Sequence, residues 1–164
     1  MRDIVHKISD GVDKVTMVLA IIFLILVFLS STLQVLTRYV LNASLSWTEE
    51  CARYTFVWTS MMGTAVAYKR GAHVVLDLIS ARLKGGLKKG QIILSHVLVI
   101  TLCLIMLINC PALLAVSARQ PSTAMHIPMI YFYISVPLGF AAVIIHALDG
   151  ILQTFEKEQP AEQM

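Results

Sequence analysis

VTMVLAIIFLILVFLSSTLQVLT, residues 15–37, runs without a charged residue between Lys14 and Arg38. At 1.5 Å per residue a helix of this length exceeds a hydrocarbon core of about 30 Å. Fifteen of the residues from Val15 to Leu36 are Leu, Ile, Phe or Val. Each favours insertion by about 0.3–0.6 kcal/mol, so this segment enters a bilayer unaided and can face lipid. It is far longer than a signal-peptide core and no small-residue cleavage pattern follows it, so it is expected to stay in the mature protein.

The rest of the chain follows the same physics. Of 164 residues, 57% are hydrophobic and 14% charged, whereas soluble domains are about a quarter charged. Two further uncharged runs, Gly90 to Ala118 and Gln120 to Leu148, are long enough to cross and must tilt or protrude. Pro111 and Pro137 lie within them and are expected to bend them, while Pro121 and Pro128 bracket the turn between. Residues 1–14 read as a short polar or interfacial helix with Ile4, Val5, Ile8 and Val12 on one stripe. Cys51, Cys103 and Cys110 show neither CxxC nor zinc spacing and read as buried thiols.

Between the first two runs lies a less apolar segment, Trp47 to Tyr68. Only Phe56, Val57 and Val66 in it are Leu, Ile, Phe or Val, and Glu49, Glu50 and Arg53 fall in its first two turns. Three residues at about −0.5 kcal/mol cannot offset charges costing about 2.5–3.5 kcal/mol each at mid-bilayer. The charged end must lie at an interface, and the helix needs protein partners. Gly63 and Ala67 form a small-xxx-small pair that lets another helix approach closely.

Residues 69–90 form a basic connection. Within it, 74–84 has the periodicity of a helix lying in the membrane surface, with Gly85 and Gly86 as its stop. The N-terminal segment, this connection and the tail together hold ten Lys and Arg; the opposite side holds Arg38, Arg53 and Arg119. That asymmetry places both termini and the connection in the cytoplasm. The expected fold is therefore an all-α integral membrane protein and a single membrane domain. It has four transmembrane helices at about 15–37, 47–68, 91–117 and 127–149, and a short cytoplasmic-side interfacial amphipathic helix at about 74–84. The bases are spread over loops, so no nucleic acid is expected as a partner.

Chemistry has few homes here. Ser46-Trp47-Thr48-Glu49-Glu50 is the densest constellation. Ser46 and Glu49 have the spacing of a capping box, the two carboxylates favour a helix N-terminus, Arg53 lies one turn on, and Trp47 suits an outer interfacial anchor. A structural anchor outweighs a direct role in ion transport. His96 and His146 lie at similar depth near the inner face. A facing pair is a haem ligand set in principle, making a haem-binding membrane anchor of a redox complex the alternative; interhelical hydrogen bonds are the plainer reading. Asn109 reads as helix-packing glue. There is no GxxxxGK[ST] loop, HExxH or nucleophile elbow, so neither an enzyme nor a cofactor is expected. Nor is there a repeat with broken helices of the kind that builds a transport path.

One set of residues resembles the small membrane subunit of tripartite ATP-independent periplasmic (TRAP) transporters, a DctQ-like family. It comprises Arg38-Tyr39, Ser46-Trp47-x-Glu49-Glu50-x-Ala52-Arg53, Trp58, Gly63 and Gly71-x-His73-x-x-x-Asp77. The resemblance implies a non-catalytic scaffold subunit in the bacterial inner membrane. Its implied partners are a large transport subunit, here a separate chain because this one ends soon after its last span, and a periplasmic substrate-binding protein. Uptake of an organic acid with sodium, of sialic acid or C4-dicarboxylate type, would be the activity of the whole. Arg38, Asn42 and Arg119 are candidates for docking or headgroup contacts on the outer side, and Lys84, Lys88 and Lys89 for anionic phospholipid on the inner.

Overall fold

A computed structural model describes residues 2–42, 45–80 and 86–156, with side chains described over 4–42, 45–71 and 90–154. The described residues are almost entirely helical: α1 (Arg2–Val40), α2 (Ser46–Ser80), α3 (Gly86–Arg119), α4 (Ile130–Tyr133) and α5 (Ser135–Glu156). Three stretches are long and apolar enough to cross a membrane, Ile4–Val40, Gly90–Arg119 and Ile130–Thr154. The segment around 47–68, the least apolar expected span, does not reach that standard.

Two boundaries differ from expectation. The polar N-terminal segment is continuous with the first apolar run, because nothing between Arg2 and Val40 breaks a helix except one tolerated glycine, Gly11. Likewise α2 runs unbroken to Ser80, so residues 74–80 belong to it and do not start a separate interfacial helix; residues 81–85 lie outside the described residues. Gly71 alone, set between the good helix formers Arg70 and Ala72, does not stop the helix. Of the prolines, Pro111 sits within a continuous α3, whereas Pro137 marks a break. Its ring excludes the carbonyl four residues back, at Tyr133, and α4 ends at that residue. The Ser135 hydroxyl donates to the Phe132 carbonyl at 2.8 Å across the break.

Cross-helix contacts set the register. Ser30 meets Cys51, Phe23 stacks on Trp58 with centroids 4.8 Å apart, and Asp13 meets Arg70, so α1 and α2 are antiparallel neighbours. α5 packs against α3, α2 and α1, while α2 and α3 scarcely touch. The buried centre is built of small side chains, Ala65, Cys103, Ala142 and Val143, which let backbones approach. At two points a side chain in place of glycine would crowd a neighbouring helix. A Cβ on Gly139 would stand 3.0 Å from Met61 Cβ, and one on Gly150 would stand 2.6 Å from Cε1 of the His96 ring.

Candidate functional site

At one end of the bundle, Glu50 is buried beneath the loop joining α3 to α4. Its carboxylate accepts a hydrogen bond from the Ser122 hydroxyl, the Thr123 amide at 2.9 Å and the Met125 amide at 3.2 Å. The loop closes on itself through the Ser122 amide to the Ile127 carbonyl, 2.9 Å, and the Met129 amide to the Gln120 carbonyl, 3.0 Å. His126 adopts φ 53° to complete the turn. A single buried carboxylate thus gathers three donors of this loop. Tyr54, one turn further along α2, stacks on Phe132 at 3.9 Å, and Trp58 Nε1 donates to the Tyr131 carbonyl at 3.3 Å.

Among the described residues, no helix covers the other side of α2. Glu49, Arg53, Phe56, Ser60, Gly63 and Ala67 recur at steps of four and three and share one face. Glu49 and Arg53 pair at 3.0 Å on its exposed end. A Cβ placed on Gly63 or Gly71 would meet nothing within 4 Å. Hydroxyls on and beside the face bond back into their own helix: Thr59 to the Thr55 carbonyl at 2.9 Å, Ser60 to Val57 at 3.0 Å and Thr64 to Ser60 at 2.7 Å. Such back-bonding satisfies the hydroxyls without water and leaves a shallow, small-residue strip open on the surface.

At the opposite end, charged and polar groups cross between helices. Lys69 Nζ donates to Asp10 at 2.6 Å and Arg70 to Asp13 at 3.2 Å, joining α2 to α1. His6 Nδ1 lies 3.2 Å from Asp149, and Ser9 Oγ lies 3.0 Å from His146 Nδ1, joining α1 to α5. Tyr68 Oη lies 2.6 Å from His96 Nδ1, joining α2 to α3. Apart from Asp10 and Ser9, these groups line a cavity of about 270 Å³.

A chain with one polar-faced helix among apolar ones, a carboxylate-clasped loop at one end and an ion-pair network at the other is built to be held in a membrane among other helices. The family model for the DctQ component of tripartite ATP-independent periplasmic transporters matches residues 27–157. The chain belongs to this DctQ family. It is 31% identical over 83 residues to a putative TRAP transporter small permease protein of Haemophilus influenzae, covering 51% of this chain and 49% of that one. It is 33% identical over 78 residues to the sialic acid TRAP transporter small permease protein SiaQ of Vibrio cholerae, covering 48% and 43%. It is 30% identical over 141 residues to the isethionate TRAP transporter permease protein DctMQ of Oleidesulfovibrio alaskensis, covering 81% of this chain and 21% of that one. These matches thus span half or less of each of the three relatives.

Within this DctQ-family chain the residues singled out in the sequence do not form one site. Glu50 and Trp58 face the bundle, whereas Trp47, Glu49 and Arg53 are exposed and Gly63 lies on the open strip. Ser46 is itself the first helical residue, which shifts the capping position to Leu45. The first turn is tied instead by the Thr48 hydroxyl, which donates to the Leu45 carbonyl at 2.7 Å. Arg38, Asn42 and Arg119 are exposed near the Glu50 end, Asn42 with φ 48°. The side chains of His73, Asp77, Lys88 and Lys89, and all of Lys84, lie outside the described residues.

Both histidines of the haem alternative present Nδ1 to a hydroxyl of another helix. Asn109 donates to the Ile105 carbonyl of its own helix at 2.7 Å and is exposed. Sequence reasoning missed Ser122, Ser9, Asp10, Asp13 and Asp149. The signal for Asp149 was present: a carboxylate at the end of an otherwise uncharged run, three residues after a histidine.

Proposed function

We propose that this chain is the static, non-catalytic scaffold subunit of a TRAP-type transporter, seated through the open face of α2 against a separate large permease subunit. The observation that carries the reading is that face itself. It bears an ion pair, small residues and two glycines open to close approach, on a helix too polar to be bathed in lipid. The DctMQ relative supports it, because the region like this chain is 21% of that permease, so most of that protein lies outside the matched region.

In this reading α2 is the fourth membrane-crossing helix of one membrane domain, over about 47–68, beside crossings at about 15–37, 91–117 and 127–149. The ten-to-three bias of basic residues supports cytoplasmic termini in a bacterial inner membrane. A periplasmic substrate-binding protein would then meet the Glu50 end, where Arg38, Asn42 and Arg119 are exposed. Sodium-coupled uptake of an organic acid is the activity proposed for the assembled transporter. The name of the sialic acid relative SiaQ favours a carboxylate sugar, with C4-dicarboxylates as the other class.

Co-purification tests the reading. The tagged chain, extracted in mild detergent from its native host, is expected to bring down a larger polytopic membrane protein. Recovery of the chain alone would refute it.

A further inference from the structure

The cavity at the ion-paired end is not needed for a scaffold, and its wall has a definite chemistry. Its two lining cations are already paired, Lys69 with Asp10 at its edge and Arg70 with Asp13, and Asp149 adds a third carboxylate. The wall therefore carries charges of both signs with no excess of cations. Two buried polar atoms on it have no partner: Oδ1 of Asp13, whose other oxygen holds Arg70, and Nε2 of His146, whose ring is 4% exposed and whose Nδ1 faces Ser9. A buried polar atom without a partner costs about 1–3 kcal/mol. The space, about 270 Å³, is several times a water's share of about 30 Å³. A single water does not fill it.

We propose that this cavity binds an ammonium–phosphate zwitterion, of the kind carried by an ethanolamine phospholipid headgroup. The ammonium satisfies the free oxygen of Asp13 and the buried Asp149 carboxylate. The phosphate oxygens accept from Arg70, Lys69 and the Nε2–H tautomer of His146, which forms when Ser9 donates to Nδ1. A purely anionic ligand gains from the cations only what it loses to the carboxylates. Placement favours a lipid source. The cavity lies where the uncharged run of α1 gives way to Lys14, Asp13 and Asp10, which is headgroup depth.

The test uses the full chain, delipidated in detergent and titrated by native mass spectrometry. The probes are dioleoyl phosphatidylethanolamine, dioleoyl phosphatidylglycerol and soluble O-phosphorylethanolamine. The wild type is expected to retain the ethanolamine lipid about tenfold over the glycerol lipid, equivalent to about 1.4 kcal/mol. Asp13→Asn removes a carboxylate that the ammonium meets and is expected to abolish that preference, while retained binding of phosphatidylglycerol reports that it is folded. Asp149→Asn, checked by circular dichroism, is the second variant with the same expected shift. Competition by O-phosphorylethanolamine supports the same chemistry from a soluble source, and lack of competition supports the lipid. Equal retention of the two lipids by the wild type, or unchanged preference in both variants, overturns the proposal.

Discussion

Helices α1 and α2 lie side by side, yet a bilayer treats them differently. Outward-facing residues of α1 include Leu24, Ile25, Phe28 and Leu29, all more than half exposed, and acyl chains cover such a surface at no cost. The outward face of α2 offers one large apolar side chain, Phe56, among Glu49, Arg53, Ser60, Gly63 and Ala67. Lipid gains little against small side chains and cannot solvate the ion pair except at an interface, whereas a helix packs closely on such a strip. The lesson is that exposure has two meanings in a membrane subunit. On α1 it marks a finished surface, and on α2 an unfinished one.

The most damaging way to break the comparison is to free the inward side of α2. Glu50→Ala removes the acceptor for the Ser122 hydroxyl and for the amides of Thr123 and Met125. Most of the monodisperse protein should be lost on size exclusion, and what survives should be cleaved readily in residues 120–129 under limited proteolysis. Next comes the open strip. Gly63→Leu meets no atom of this chain within 4 Å of its Cβ, so the isolated subunit should melt as the wild type does, while recovery of the large subunit falls about tenfold, or about 1.4 kcal/mol. The matched control, Phe28→Ala on α1, should leave recovery unchanged.

These contrasts bear on what was legible in the sequence. The apolar runs were, because a stretch such as 15–37 has only one comfortable solvent. The polarity of 47–68 was also legible, along with its demand for protein neighbours. The far end of α2 was not, since periodicity over 74–84 reads alike for a surface helix and for the continuation of a longer one. Nor were the cross-bundle pairs. His6 and Asp149 stand 143 positions apart, and no local spacing announces that they meet. Glu50 and Glu49 are adjacent and chemically identical. Only the 100° turn between them sends one into the loop and leaves the other outside with Arg53.

Smaller effects sharpen the same contrast. Gly150→Ala pushes a methyl into the His96 ring, whose Nδ1 is held by Tyr68. Overpacking of this kind costs about 1–3 kcal/mol, and thermal unfolding in detergent should show it as a lowered melting temperature. Arg53→Ala removes an exposed pair, 63% and 59% accessible on its two sides, worth about 0–0.5 kcal/mol to the isolated chain. Its melting temperature should barely move. A larger loss in the assembled transporter than in the isolated subunit would place the pair under the partner.

The unfinished face of α2 is tested most directly by photocross-linking in native membranes. A benzophenone maleimide is attached to Ala67→Cys on α2 or to Phe28→Cys on α1, in chains whose Cys51, Cys103 and Cys110 are replaced by serine or alanine. The account predicts that position 67 captures a larger membrane protein while position 28 captures phospholipid. Position 67 yielding only phospholipid would contradict it.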